Sequence, residues 1–143
     1  MISLEKAKEL KEAGLVWKPY FGDFLYADEE SKMVGGLCVG EIEIGEHKNL
    51  ICQNPLTGIT RGIKDSEHIV WFPRLDQILE EIKKRGWDVE RLQIKGGKTF
   101  ILLHRTRGDH IPADWSPYFS AATPEDAVAD ALLCLLKQEA CKQ

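Results

Sequence analysis

RLQIKGGKTFILLH, residues 91–104, is the stretch on which the reading of this fold turns. Two runs, Arg91 to Lys95 and Thr99 to His104, flank Gly96-Gly97. A type I′ turn needs positive φ at both central positions, which glycine adopts without a Cβ clash, so the stretch predicts a tight β-hairpin. On its N-terminal side, Leu75, Ile78, Leu79 and Ile82 recur at helical spacing. Pro73 is expected to open that helix and Gly86 to stop it. Lys83, Lys84 and Arg85 fall in its last turn, where cations suit the negative end of the dipole. On the C-terminal side, Thr123 is an N-cap, Pro124 fits the first helical position, and Glu125 and Asp126 suit the first turn. Ala127, Val128, Ala131, Leu132, Leu135 and Leu136 then cover much of a helix circumference, which predicts a central helix. The core expected from these patterns is Leu75, Ile78, Leu79, Ile82, Leu132, Leu135 and Leu136.

The N-terminal half reads as one more helix followed by strands. Ser3 is an N-cap, Leu4, Ala7 and Leu10 share a face, and Gly14 ends the helix. Phe21 to Ala27 is extended in character, Asp28 to Ser31 is a polar turn, and Met33 to Val39 is a return strand containing Gly35-Gly36. Glu41 to Ile44 alternates strictly, Gly45 to Lys48 is a turn, and Asn49 to Gln53 is a further strand. Together these predict an antiparallel meander. Two long loops are expected, at 54–66 and 108–120. The expectation is a single α+β domain over residues 1–143, with an antiparallel sheet of about five strands packed against about three helices.

The composition, 43% hydrophobic and 29% charged, is that of a globular chain able to build a core without disulfides or metals. The net charge of −4 argues against a general nucleic-acid coat. It is unevenly spread. Between Lys83 and His110, eight basic residues oppose three acidic ones, whereas the first 47 residues carry five Lys against ten Asp and Glu. Cys38, Cys52, Cys134 and Cys141 form no close pair. Met1-Ile2-Ser3 leads directly into a charged helix, and no apolar run approaches membrane-span length. A cytoplasmic protein with reduced thiols and no membrane contact is expected.

Motifs with chemical content are few. Glu41, Glu43 and His47 bring three metal-ligand types close in sequence, but the alternation with Ile42 and Ile44 reads as the polar face of a strand. Asp109-His110, with Asp114 nearby, has the composition of a general base and its orienting carboxylate. No nucleophile stands at a recognisable spacing from them, nor from His68 or His104. Neither Gly35-Gly36 nor Gly96-Gly97 lies in a phosphate-binding pattern. The strongest functional feature is the basic region 83–107, namely Lys83, Lys84, Arg85, Arg91, Lys95, Lys98, Arg105 and Arg107, with Trp87 and Trp115 near it. Cations neutralise phosphates and aromatics stack on bases.

The segments Trp71-Phe72-Pro73-Arg74-Leu75-Asp76-Gln77-Ile78-Leu79 and Phe119-Ser120-Ala121-Ala122-Thr123-Pro124-Glu125-Asp126-Ala127-Val128-Ala129-Asp130-Ala131-Leu132-Leu133 resemble those of small uncharacterised proteins of bacterial prophage regions. The resemblance covers the C-terminal half. It implies a phage or mobile-element origin and a compact α+β sandwich, and it brings no activity or catalytic residue.

These readings converge on a non-enzymatic binding or accessory protein acting through a protein surface, with a protein partner or self-association and no cofactor. The alternatives are nucleic-acid binding through 83–107 and a small hydrolase using His110 with Asp109 or Asp114.

Overall fold

The computed structural model describes residues 1–16, 18, 20–27, 37–43, 49–64, 69–106 and 117–141. The fold is α+β, with three helices, a five-stranded antiparallel sheet and a three-stranded antiparallel sheet among the described residues. The chain forms two compact units, Met1–Leu15 with Arg74–Gln143, and Val16–Pro73.

In the first unit, helix α1 spans Leu4–Glu12 and α2 spans Leu75–Lys84. Strands β6, Trp87–Lys95, β7, Lys98–Arg105, and β8, Tyr118–Ala121, follow, and α3 spans Pro124–Ala140. The Ser3 hydroxyl caps α1 by accepting the Lys6 N–H at 3.4 Å, and Gly14 leaves the helix at φ 90°. The α2 start differs from expectation by two residues, falling at Leu75 instead of Pro73. Arg74 is the N-cap, its N–H donating to the Gln77 side chain at 2.8 Å, and Pro73 precedes the helix. Proline has no N–H to donate, so that reciprocal bond falls to the next residue. Thr123 caps α3 as its sequence predicts, its hydroxyl accepting the Asp126 N–H at 3.1 Å.

Helix α3 is the centre of this unit. It packs against α1, α2, β7 and β8. Its buried residues include Ala127, Val128, Ala131, Leu132, Leu135 and Leu136, as the sequence expects, and α2 contributes Ile78 and Ile82. Leu75 and Leu79 are only half-buried, because they border the stripe that faces the core. The helix starts are also tied together: Lys6 reaches Asp130 at 2.7 Å, and the Ser3 N–H donates to the Asp126 carboxylate at 2.9 Å.

In the second unit, β1 is Phe24–Tyr26, β2 Leu37–Glu43, β3 Asn49–Gln53, β4 Thr60–Lys64 and β5 Val70–Phe72. The order is β4-β3-β2-β1-β5, a meander whose last strand closes onto its first. Leu25, Leu37, Val39, Cys52 and Ile69 form its core. Two expectations are corrected here. The strand ending at Val39 and the one starting at Glu41 are a single strand, with a register shift between those residues that leaves Gly40 as the extra, bulged position. The expected 54–66 loop is a turn followed by a strand, because Thr60–Lys64 pairs with β3, and its residues 65 and 66 lie outside the described residues. Asn54 organises that turn: its side-chain oxygen accepts the N–H groups of Leu56 and Thr57 at 2.9 and 3.2 Å. The polar turn at 28–31, residues 33–36, Ile44, the turn at 45–48, and 108–116 of the second loop lie outside the described residues.

Candidate functional site

The β6–β7 hairpin closes through Gly96 and Gly97, at φ 59° and 73°, the backbone a type I′ turn requires. That turn sets the register, and the register sets the faces. Lys95 lies opposite Lys98, Gln93 opposite Phe100, and Arg91 opposite Leu102. On the next strand, Phe100 lies opposite Ser120 and Leu102 opposite Tyr118. Residues directly opposite in a sheet share a face, and residues two apart on a strand return to it. These side chains therefore occupy one side of the sheet.

The other side is the core side. Thr99, Ile101 and Leu103 are each 1% exposed, and the helices of this unit pack against β6, β7 and β8. Between them, Phe100 is 38% exposed, and Tyr118 on β8 is 63% exposed. Arg91, Gln93, Lys95, Lys98, His104 and Ser120 are exposed, and Leu102 is half-buried. The result is an open face with two aromatic rings set among three cations.

Arg91, Lys95 and Lys98 form no ion pair among the described residues. Lys95 and Lys98 stand directly opposite one another, an arrangement that repels and costs stability in a sheet. At the far end of the face, His104 lies opposite Asp88, whose carboxylate accepts the Val89 N–H at 2.9 Å.

The remaining basic residues are placed elsewhere. Lys83 and Lys84 are on α2, in the helical layer, and Lys84 pairs with Glu81 at 2.6 Å. Arg85 is neutralised by Glu81 at 2.7 Å and by Glu139 at 3.1 Å, joining the ends of α2 and α3. Burial pushes the Glu81 carboxyl up, but the hydrogen bonds from Lys84 and Arg85 outweigh it and hold the group below its ordinary value. Arg105 lies on the core side, its guanidinium 5.7 Å from the ring centre of Trp87, which is 6% exposed. Trp87 is thus a core residue and offers no ring to a ligand. Arg107, Asp109, His110, Asp114 and Trp115 lie outside the described residues, as do His47 and His68.

The structure therefore gathers Arg91, Lys95 and Lys98 from the eight-residue basic set and disperses Lys83, Lys84, Arg85 and Arg105. Phe100 and Tyr118 are the residues that sequence reasoning missed. The available signal was phase: Phe100 alternates with Thr99 and Ile101, so it had to lie on the sheet face opposite theirs, although alternation alone does not say which face the helices cover. Among the described residues, no group of three His, Cys, Asp or Glu side chains could hold a metal ion, and no helix is long and apolar enough to cross a membrane. The four cysteines are free thiols, with Cys52 buried, Cys38 and Cys134 half-buried and Cys141 exposed. Comparison of the chain with protein families, with curated proteins and with solved structures finds no match.

Proposed function

We propose that this chain is a non-enzymatic binding or accessory protein that takes its partner on the open face of the β6–β7–β8 sheet. The observation that carries the reading is the juxtaposition of exposed Phe100 and Tyr118 with the cations Arg91, Lys95 and Lys98, which form no ion pair among the described residues. Exposed aromatics and arginine are the side chains that supply most interface energy. A sheet face is also a flat surface, suited to contact over an area, whereas a catalytic site encloses its substrate and excludes water. A cytoplasmic setting belongs to the same proposal and is supported by the four free thiols. So does a phage or mobile-element origin, supported by the resemblance of the C-terminal half.

The test is site-specific photo-crosslinking in cells that produce the protein. A benzophenone amino acid is placed at Tyr118 or, as a control, at Glu80 on the exposed side of α2. The expected result is a discrete adduct from position 118 and none from position 80. Equal labelling from both positions, or none from 118, overturns the reading.

A further inference from the structure

The chemistry of this face identifies the class of partner. We infer that the open sheet face binds single-stranded nucleic acid, with Phe100 and Tyr118 each stacking on a base and Arg91, Lys95 and Lys98 contacting phosphates. The inference rests on the binding-face reading and deepens it. Three features of the structure argue for this occupant.

The first is charge. Lys95 and Lys98 are held opposite each other with no carboxylate between them among the described residues. Their repulsion is offset when an anion lies over the pair, so a polyanion gains what the free protein lacks. Arg91, on the same face of β6, extends the cationic track along the strand.

The second is ring placement. Phe100 is opposite Ser120, and Tyr118 is opposite Leu102, so the two rings are diagonal neighbours across β7 and β8. Such positions are about 7–8 Å apart. That is roughly twice the 3.4 Å advance per nucleotide within a duplex strand. The rings therefore suit bases already splayed from one another, as in an unpaired strand. In a duplex the base faces are covered by their neighbours and no ring can reach them.

The third is accessibility. Tyr118 is 63% exposed and Phe100 38% exposed, while β7 is anchored by the buried row Thr99, Ile101 and Leu103 and β8 is paired to it. The rings are thus presented on a rigid support rather than on a loop, which lowers the ordering cost of binding.

The test uses the full chain and a fluorescein-labelled oligothymidylate of about 12 nucleotides, within the usual site size of single-strand binders. Anisotropy titration is expected to give a Kd of roughly 1–100 μM at physiological salt. With three phosphate contacts, raising salt from about 50 to about 200 mM should weaken binding roughly 20-fold, from a log–log slope near −2. Phe100→Ala and Tyr118→Ala should each weaken binding about 5- to 150-fold with the slope unchanged, and Phe100→Tyr should restore it. Joint replacement Lys95→Glu and Lys98→Glu should lower the slope by about 1.4. Unchanged circular dichroism confirms that the variants fold. Failure to bind the oligonucleotide, or binding indifferent to Phe100 and Tyr118, overturns the inference. The crosslink at Tyr118 separates the two levels: a nuclease-sensitive adduct supports both, a nuclease-resistant protein adduct overturns the nucleic acid and keeps the binding face, and no adduct overturns both.

Discussion

Replacing Leu132 with alanine tests the claim that α3 is the centre of the first unit. Leu132 is 0% exposed, on a helix that packs against α1, α2, β7 and β8. Truncation removes three carbons. At about 0.8 kcal/mol for each buried methylene, the transfer part alone is roughly 2.4 kcal/mol. A cavity part adds to this wherever the walls cannot collapse. Here the elements packed on α3 carry nearly fully buried side chains of their own, Ile78 and Ile82 on α2 and Ile101 and Leu103 on β7, and close-packed walls relax only partly. The total should therefore lie in the upper part of the range seen for buried leucines, about 3–5 kcal/mol. In urea, with a slope of about 1–3 kcal/mol per molar, the midpoint should fall by at least about 1 M. Helical ellipticity is the appropriate signal, because α1, α2 and α3 all belong to this unit. Leu92→Ala is the control. That side chain is 46% exposed, and its loss should cost under about 1 kcal/mol. An unchanged midpoint for Leu132→Ala, or equal losses for the two variants, would refute the packing argument.

Three further outcomes follow from the caps and charges. Thr123→Ala removes the acceptor for the Asp126 N–H and should cost about 0.5–2 kcal/mol, with Thr123→Ser retaining most of it in thermal unfolding. Acid should destabilise the first unit through three carboxylates whose ordinary values are 3.8 for Asp76 and 4.5 for Glu81 and Glu125. The hydrogen bond from Arg74 holds Asp76 low. Lys84 and Arg85 hold Glu81 low against the opposing effect of burial. Its own backbone N–H and then the N-terminal amine hold Glu125 low. A carboxyl lowered by folding contributes stability above its unfolded value and loses it as pH falls through the lowered one. The denaturation midpoint should accordingly drop below about pH 4.5, and the drop should shrink in Glu81→Gln, whereas a midpoint flat down to pH 3 would count against these pairs. Lys6 works at the opposite limit: Asp130 raises it above 10.5, so its contribution is lost only as pH climbs past that value.

Local patterns in the chain were sufficient for every element whose formation depends on neighbours in sequence. Thr123-Pro124-Glu125-Asp126, the spacing of Ile78 and Ile82, and Gly96-Gly97 each specify a short-range geometry, and each is found as read. Strand β4 was not legible, because Thr60-Arg61-Gly62-Ile63-Lys64 carries one large apolar residue and a glycine; it is a strand only because β3 offers it a ladder. Gly40 read as a break between strands, since a bulge is defined by the partner strand and not by its own residue. The partition at Val16 and Pro73 has no Gly- or Ser-rich linker to announce it.

The candidate site divides along the same line. Residue order alone determined that cations crowd residues 83–107 and that a hairpin runs through them. It could not say which face of the hairpin is left open, because that depends on which sheet face the helices cover. Tertiary packing decided it. Helix α3 buries Thr99, Ile101 and Leu103, which turns Phe100, Arg91, Lys95 and Lys98 outward, and pairing with β8 brings Tyr118 beside them from the far side of residues 107–116. Arg85 and Arg105 carry the same charge, yet partners distant in sequence, Glu139 and Trp87, hold them in structural roles. Charge is a property of a residue, but an available charge is a property of its neighbours, and those are chosen by the fold.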